Sequence, residues 1–364
     1  MTIKEIARQA GVAMSTVSLV LNNKPGVRKE TRERIAGYLV ANGYQIRAVE
    51  PVQNQGGEIR FLRLIASNHI NERNHEFFTG LLNGAERSAR QQGYDFSFSN
   101  VLASELSEVM QELAVRENLV GVLVLASELK EENLSPLLHY ERPLVLLDCP
   151  VEHGPMNCIN TDNISGAFAA VEELYRQGHR KIGFLRGEVE IGGMHERYEG
   201  YGKAMRLLGL EVNPAHVIRI DTIVDVAAQQ MLSELKQLTD VPTAFFACND
   251  LIAAGAMRAL AQVGYRVPED TSIIGFDDVQ ICSFVSPPLS TMRIDRFRMG
   301  ELGVERLLAL HRGRESERLR SFLAVTPVLR GTIAPPATAQ VPEEEKKKRA
   351  RNAHALRHPF YYGA

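Results

Sequence analysis

The chain has 364 residues, 45% of them hydrophobic, which is enough for two or three domains with real cores and excludes a disordered or fibrous protein. Its net charge of −2 is unevenly spread: residues 1–47 hold eight Lys and Arg against three Asp and Glu, whereas residues 48–342 hold 28 against 38. A basic N-terminal segment on an acidic body indicates that this segment meets a polyanion.

Residues 2–22, TIKEIARQAGVAMSTVSLVLN, are predicted to form two short helices joined by a tight turn at Gly11. Apolar residues recur at spacings of three and four on both sides of that glycine. Thr2 followed by Glu5 is a capping box that starts the first helix. The second helix is predicted to turn four residues outward: Met14, Ser15, Ser18 and Leu19. Such a face can meet base edges in the major groove, whereas a plain helical hairpin would not explain it.

The N-terminal segment is predicted to be a compact head of three helices, because a third helix is expected over Thr31–Asn42. The head then covers residues 1–46. Residues 47–58 keep neither a helical period nor strand alternation, which predicts a linker. The charged residues 334–364 are expected to form a disordered tail.

Residues 59–333 alternate short apolar runs with amphipathic stretches, which predicts an α/β fold of parallel sheets flanked by helices. The predicted strands are Phe61–Ala66, Tyr94–Phe98, Val120–Leu125, Leu144–Leu147, Lys181–Leu185, Val217–Ile220, Ala244–Ala247 and Ser272–Phe276. The predicted helices lie near Phe77–Gln91, Glu105–Arg116, Asn133–Tyr140, Ile164–Gln177, Tyr198–Leu208, Val226–Leu238 and Leu251–Val263. Two such series predict two similar lobes, with a small-molecule cleft at the carboxyl ends of their strands.

The four cysteines, Cys149, Cys158, Cys248 and Cys282, stand in apolar runs without paired or metal-type spacing. They are predicted to be reduced core thiols, and no metal site is expected. The first residues are charged where a signal peptide needs an apolar run, and no stretch of 18 apolar residues occurs. A cytoplasmic protein without a membrane partner is therefore expected.

Head, linker and two-lobed body together resemble the lactose-repressor/galactose-repressor family of bacterial transcription regulators over about residues 2–333. The motifs that carry the resemblance are TIKEIARQAGV with TVSLVLN, ETRERI, NTDNISGA, RYEGY, ACNDLIAAGAMRAL, VPEDTSIIGFDD and PPLSTMRID. The resemblance implies a helix-turn-helix DNA-binding domain followed by a periplasmic-binding-protein-like domain of two lobes. It also implies a homodimer on operator DNA, controlled by a small effector, most often a sugar or sugar derivative, and no cofactor.

For the head, the resemblance implies a set of DNA-contacting residues: Thr2, Met14, Ser15, Thr16, Ser18, Leu19 and Asn22. Leu19 stands where many family members have a residue such as Arg, and since Leu cannot hydrogen-bond guanine, a weak guanine preference is predicted there. Ala13 and Arg28 replace serines that commonly start the second and third helices. Gln53 replaces the leucine that wedges into the minor groove, with Pro51 two residues before it, so a smaller DNA bend is expected.

For the cleft, the resemblance implies effector contacts from Phe77, Phe78, Asp148, Arg197, Asn249, Asp277 and Arg296. Carboxylates accept from sugar hydroxyls, Arg donates in a fixed fork, and an amide does both. Other roles stay open: a core position for one phenylalanine, and a structural role for Asp278. Asn249 or, with the better chance, Asp250 can cap the following helix. Arg296, if it reaches the ligand, favours an anionic one.

Three other functions are considered. Asp148 and Asp277 could act as an acid and base pair in an enzyme, but no nucleophile motif, metal cluster or phosphate-binding loop accompanies them. A transport-type sugar-binding protein is opposed by the DNA-binding head and the missing signal peptide. A DNA-binding regulator that responds to a protein partner rather than to a metabolite stays open.

Overall fold

The computed structural model of the chain describes residues 2–21, 26–42, 44, 56–65, 75–149, 156–188, 193–314 and 316–337. It consists of a small N-terminal unit, the head, and a larger α/β unit, the body, which starts at Gly57. Asn22, most of the predicted linker and the tail from residue 338 lie outside the described residues. No helix in the described ranges combines the length and apolar character needed to cross a bilayer.

The head contains three helices, α1 (Ile3–Ala10), α2 (Met14–Leu21) and α3 (Lys29–Ala41). The predicted capping box is confirmed, since Thr2 Oγ1 accepts from the Glu5 amide and the Thr2 amide donates to Glu5 Oε2 at 2.8 Å. Gly11 ends α1 with a φ of +64°, which an L-residue rarely adopts. Arg28 precedes α3 and makes no side-chain capping bond. The head core consists of Ile6, Ala7, Ala10, Val17, Val20, Ile35 and Leu39.

The first lobe of the body is a six-stranded parallel sheet covered by helices. Its strands are β1 (Glu58–Ile65), β2 (Asp95–Leu102), β3 (Leu119–Leu125), β4 (Leu144–Leu147), β5 (Asn157–Thr161) and β11 (Arg320–Leu323). Its helices are α4 (His75–Gln91), α5 (Leu106–Ala114), α6 (Ser135–Leu138) and α12 (Arg296–His311). The strand order is β11-β5-β4-β3-β1-β2. Neighbouring strands are all parallel, as the run of apolar strands predicts.

The second lobe repeats this plan. Its strands are β6 (Ile182–Gly187), β7 (Val217–Ile220), β8 (Ala244–Ala247), β9 (Ser272–Asp277), β10 (Ser290–Arg293) and β12 (Thr326–Val328). Its helices are α7 (Asn163–Gln177), α8 (Met194–Leu207), α9 (Val224–Gln237), α10 (Asp250–Gln262) and α11 (Ile281–Phe284). The order is β12-β10-β9-β8-β6-β7, and β12 pairs antiparallel to β10. The predicted fold class, two parallel-sheet lobes flanked by helices, is confirmed.

The chain crosses between the lobes three times, after β5, after β10 and after β11. Six of these elements are not predicted from the sequence: β5, β10, β11, β12, α11 and α12. The four strands are short or polar, α11 has only four residues, and α12 returns to the first lobe after β10. The four cysteines are buried and free, as predicted.

Two glycines bring α4 and α12 into backbone contact. A Cβ on Gly300 would stand 2.1 Å from the Leu81 carbonyl oxygen, and one on Gly84 would stand 2.0 Å from the Phe297 carbonyl oxygen.

We expect Gly300→Ala to lower the free energy of unfolding by about 3 kcal/mol, because the helices must separate. Urea denaturation measures this change. The matched control is Gly202→Ala on α8, where a Cβ meets nothing within 4 Å; it should be stabilising by about 0.5–1 kcal/mol, and equal behaviour of the two variants would contradict the packing role.

Candidate DNA-reading face and effector cleft

The outward face of α2 matches the predicted reading face in its exposure. Met14 has 54% of its surface exposed, Ser15 and Ser18 are exposed, and Leu19 is partly buried. Thr16 is partly buried at the start of the helix. This face carries two hydroxyls and two apolar side chains, which can contact bases and methyl groups but offer no charged donor. The DNA contacts of these residues stay a prediction.

The cleft residues begin with three aspartates at the carboxyl ends of strands. Asp148 follows β4 in the first lobe, while Asp277 ends β9 in the second lobe and Asp278 follows it. All three have a positive φ, 52°, 108° and 55° respectively. Such backbone conformations are unfavourable for residues with a Cβ and concentrate at binding sites. At these three residues the backbone therefore leaves the extended conformation that would continue the sheet.

Arg197 on α8 lies at the centre of the cleft cluster and is buried. Its Nη1 is 3.0 Å from Asp277 Oδ1 and donates to the Cys248 carbonyl at 2.6 Å, while Nε donates to Asn163 Oδ1 at 2.9 Å. The guanidinium also stacks on the Phe276 ring, 3.9 Å from its centroid. These bonds fix the plane of the fork, so Nη2, which donates to no described residue, is held in one direction.

Two further carboxylates accompany this ion pair. Asp148 Oδ2 accepts from the Ser127 hydroxyl at 2.5 Å, and Glu196 Oε2 accepts from Asn163 Nδ2 at 2.8 Å. Burial raises the pKa of Asp148, against the opposing effects of the Ser127 bond and the Arg197 charge. Burial also raises the pKa of Glu196, and the charge of Asp148 adds to that rise. The roles of Glu196, Ser127 and Asn163 are not predicted from the sequence, although Glu196 stands directly before the RYEGY motif that begins at Arg197.

Asn249, not Asp250, caps α10, which corrects the preference drawn from the sequence. The Asn249 Oδ1 accepts from the Ile252 amide at 2.8 Å. The side chain is buried, and its oxygen is committed to the helix. Any effector contact by Asn249 therefore depends on its amide nitrogen and stays a prediction.

Asp250 is fully buried and binds both β10 and the segment that follows β9. Its carboxylate accepts from the Thr291 hydroxyl at 2.5 Å and from the Val279 amide at 2.9 Å. Burial, reinforced by the charge of Asp277, raises the pKa of Asp250 to about 7. Asp250 is thus a structural residue beside the cleft.

The raised pKa of Asp250 makes the stability of the fold depend on pH. The folded state holds the Asp250 proton to higher pH than the unfolded state does, so protonation of Asp250 adds to the free energy of unfolding. This addition is complete at low pH and is lost as the pH rises from about 4 to 7. We expect the difference in unfolding free energy between the wild-type chain and Asp250→Asn to fall by about 2 kcal/mol from pH 5 to pH 7. Urea denaturation at both pH values tests this. A pH-independent difference would contradict the raised pKa.

Arg296, at the start of α12, contacts both lobes through its Nη2. Its Nη2 donates to the Asp278 carbonyl at 3.1 Å and lies 3.5 Å from Glu76 Oε1. Glu76, at the start of α4 in the first lobe, also accepts from the Gln280 amide in the second lobe at 2.8 Å. Its Nη1 is buried and has no hydrogen-bond partner among the described residues, so an effector contact by Arg296, and the preference for an anionic ligand, stay predictions. Asp278 is structural as predicted, because Arg293 and Arg330 both bind its carboxylate at 2.6 Å.

The two phenylalanines of α4 are both buried. Phe78 packs in an aromatic cluster: its ring centroid lies 5.2 Å from that of Phe98 and 6.2 Å from that of Phe61. The Arg63 guanidinium lies 4.5 Å from the Phe78 ring centroid. This surrounding gives Phe78 a core role, and a ligand contact by either ring stays a prediction. Among the described residues, no three His, Cys, Asp or Glu side chains are arranged to hold a metal ion.

Comparison with known proteins decides the family. The head, over residues 2–45, matches the lacI family of bacterial regulatory proteins, and residues 171–333 match a periplasmic binding protein-like domain. The PurR transcriptional repressor of Haemophilus influenzae (strain PittEE) is 31% identical over 312 residues, which cover 84% of this chain and 90% of the repressor. The chain belongs to the LacI family.

Solved structures of LacI-family regulators share the architecture. The CelR transcriptional regulator in complex with cellobiose is 26% identical, with a TM-score of 0.67, and the match covers 92% of this chain and 100% of CelR. The Lac repressor dimer bound to operator and the anti-inducer ONPF is 26% identical, with a TM-score of 0.66, covering 92% and 99%. The resemblance seen in the motifs is confirmed: this LacI-family chain is a DNA-binding transcription regulator, and its relatives are repressors, not enzymes.

Proposed function

We propose that this LacI-family chain binds operator DNA as a homodimer and that a small, sugar-like effector in the cleft changes its operator affinity. The observation that carries the proposal is the Arg197–Asp277 ion pair, buried at the strand ends of one lobe and faced by Asp148 from the other. A guanidinium held in one orientation donates hydrogen bonds, and carboxylate oxygens accept them. Such a site is suited to a ligand rich in hydroxyl groups.

The chain then divides by task. Residues 1–46 read DNA, residues 47–58 connect, residues 59–333 bind the effector and the second copy, and residues 334–364 form the tail. In the head, Met14, Ser15, Ser18 and Leu19 meet base edges, while the residues at the helix ends bind phosphate: Thr2, Thr16 and Asn22. Phosphate contacts give affinity and base contacts give sequence preference.

The link between effector and DNA runs through the approach of the two lobes. Two contacts already join the lobes: Glu76 accepts from the Gln280 amide, and Arg296 donates to the Asp278 carbonyl. A ligand bridging Asp148 and Arg197 adds to these contacts and shifts the population toward the closed arrangement. Since β1 follows the linker directly, a shift of the first lobe moves the point at which the linker ends. This explains how occupation of the cleft alters operator affinity.

Two solved relatives support the proposal by what their names state: CelR is in complex with cellobiose, and the Lac repressor dimer is bound to operator and to an anti-inducer.

The test is a thermal-shift screen of the full chain against a panel of sugars and other metabolites. A bound effector should raise the unfolding temperature in proportion to the logarithm of its concentration over its Kd. It should also change affinity for a selected operator. Absence of any stabilising metabolite favours control by a protein partner instead.

The proposed dimer contact includes Phe284 on α11. Its ring is 77% exposed, an unusual state for a large apolar side chain on a short helix beside the buried α10. We expect Phe284→Glu to convert the dimer to a monomer and to weaken operator binding at least tenfold, because one head alone contacts one half-site. Sedimentation velocity checks the mass. Leu207→Glu on α8, which changes another exposed side chain (64%), is the control and should stay dimeric; a dimeric Phe284→Glu would contradict this assignment.

A further inference from the structure

Two buried polar atoms at the cleft have no hydrogen-bond partner among the described residues, Asp277 Oδ1 and Arg296 Nη1. The first is an acceptor and the second is a donor. Buried polar atoms without a partner are few in folded proteins, and each one calls for an explanation. An acceptor and a donor left open in the same cleft indicate a bound group that satisfies both.

Asp277 is compensated in charge but not in hydrogen bonding. Its side chain is only 5% exposed, and Oδ1 lies 3.0 Å from Arg197 Nη1. That contact is an ion pair without a hydrogen bond to Oδ1, while Nη1 donates to the Cys248 carbonyl at 2.6 Å. Oδ1 therefore keeps its lone pairs for another donor, which a ligand hydroxyl supplies.

Arg296 is held in one orientation by contacts from both lobes. Its Nη2 donates to the Asp278 carbonyl at 3.1 Å and lies 3.5 Å from Glu76 Oε1. The side chain runs along α4 at Gly80, where a Cβ would stand 3.5 Å from Arg296 Nε. These contacts fix the plane of the guanidinium and with it the direction of Nη1. Because the guanidinium lies where the lobes meet, their separation gives a ligand access to Nη1.

Arg296 and Asp277 are neighbours that do not bind each other. The carbonyl that accepts from Arg296 belongs to Asp278, the residue directly after Asp277. Burial raises the pKa of Asp277, and the charges of Arg197 and Arg296 oppose that rise. No ion pair or hydrogen bond joins Arg296 to Asp277 in the described part of the chain, and Nη1 stays open. A ligand with an acceptor next to a hydroxyl can bridge the two side chains.

The charge of Arg296 favours an anionic acceptor, since a guanidinium binds a carboxylate more strongly than a neutral oxygen. Glu76 compensates this charge only in part, because its side chain is 45% exposed and it also accepts from the Gln280 amide at 2.8 Å. A phosphate dianion would place two negative charges beside the buried Asp277 carboxyl. A carboxylate brings one charge and matches the planar guanidinium.

We propose that Arg296 determines the specificity of the cleft and that the effector is a sugar acid. The ligand carboxylate accepts from Arg296 Nη1, and a neighbouring hydroxyl donates to Asp277 Oδ1. Both buried atoms are then satisfied by one molecule, which is enclosed when the lobes approach. This inference rests on the proposed effector function of the same cleft.

The test compares sugar acids with their neutral analogues by isothermal titration of the full chain at pH 7. The pairs are glucuronate and glucose, galacturonate and galactose, and gluconate and glucitol, with glucose 6-phosphate as the phosphate probe. In at least one pair the acid should bind about tenfold more tightly, as expected for a charged instead of a neutral acceptor.

Arg296→Met keeps the length of the side chain without its donors and should reduce that ratio to about one. Arg296→Gln, which retains an amide donor for the Asp278 carbonyl, is the second variant and should give the same result even if Arg296→Met fails to fold. Arg298→Met on the same helix is the matched control, because Arg298 is engaged by Glu301 and Glu305. It removes the same charge and should leave the ratio unchanged.

The outcomes separate this inference from the proposed function. Equal or tighter binding of the neutral sugars, or tighter binding of the phosphate than of every acid, overturns the sugar acid and leaves the effector function supported. An effector from the metabolite screen that lacks a carboxylate has the same consequence, whereas one that carries a carboxylate supports the inference. An acid preference that survives in the folded Arg296 variants overturns the role of Arg296. Absence of binding by all the probes, together with no stabilising compound in the screen, overturns the proposed function and this inference with it.

Discussion

Arg197→Ala is expected to abolish the response to effector and to lower the free energy of unfolding by about 3–5 kcal/mol. The substitution leaves Asp277 buried without its ion pair and removes the donors to Asn163 and the Cys248 carbonyl. An uncompensated buried charge accounts for most of the lost stability, and the missing fork accounts for the lost ligand. Effector affinity should fall at least a hundredfold, as measured by titration calorimetry.

A second pair of variants separates the binding role of Arg197 from its structural role. Arg197→Met combined with Asp277→Asn removes the uncompensated charge and should restore most of the stability while the chain still fails to bind effector. Arg197→Lys keeps the charge but not the fork, and should keep stability better than affinity. If the double variant binds effector as the wild type does, Arg197 and Asp277 do not belong to the binding site.

Leu19→Arg is expected to create a strong guanine preference at one operator position. Leucine can contact a thymine methyl but cannot donate to guanine, whereas a bidentate Arg–guanine contact discriminates by about 1–3 kcal/mol, roughly 5- to 150-fold. Selection of random DNA with the full chain should show guanine enriched at that position only in the variant. Leu19 is only partly buried on α2, so a longer side chain can extend into solvent.

The control for charge is Val40→Arg. Val40 is 65% exposed on α3, outside the reading helix, so the added arginine raises affinity for all DNA and leaves the sequence preference unchanged. A strong guanine already selected by the wild-type chain at the Leu19 position would contradict the prediction. An equal guanine gain in both variants would show that charge, not base contact, is responsible.

The elements that were predicted from the sequence are those whose apolar composition indicates that they are buried. FLRLI, LVGVLVL and AFFA belong to central strands buried on both faces, so long apolar runs identify them. β5, NCINT, is just as buried but polar. Asn157 accepts from the Arg306 guanidinium at 2.9 Å, and Asn160 binds the Cys149 amide and carbonyl. These bonds exist only after distant segments meet, so no local pattern reveals the strand.

The same distinction applies to α12 and to the cleft. Gly300 and Gly303 lower the helical propensity of α12, yet both are required by close packing, Gly303 against Leu147. Asp277 and Asp148 are recognisable because each comes directly after a buried apolar run of the sequence. Glu196 is not, because its carboxylate binds the Asn163 amide, which lies 33 residues away in the sequence. Local composition therefore indicates which residues line a cleft, while the pairing of charges across it depends on the folded lobes.

The most direct measurement of the central claim is a binding titration of the full chain on a DNA motif selected from genomic fragments, followed by fluorescence anisotropy at fixed salt. A LacI-family regulator should enrich a near-palindromic motif and bind it at least a thousandfold more tightly than a scrambled duplex. Half-sites one helical turn apart are expected for paired heads. Failure to enrich any motif, or equal affinity for motif and scrambled DNA, would contradict the account.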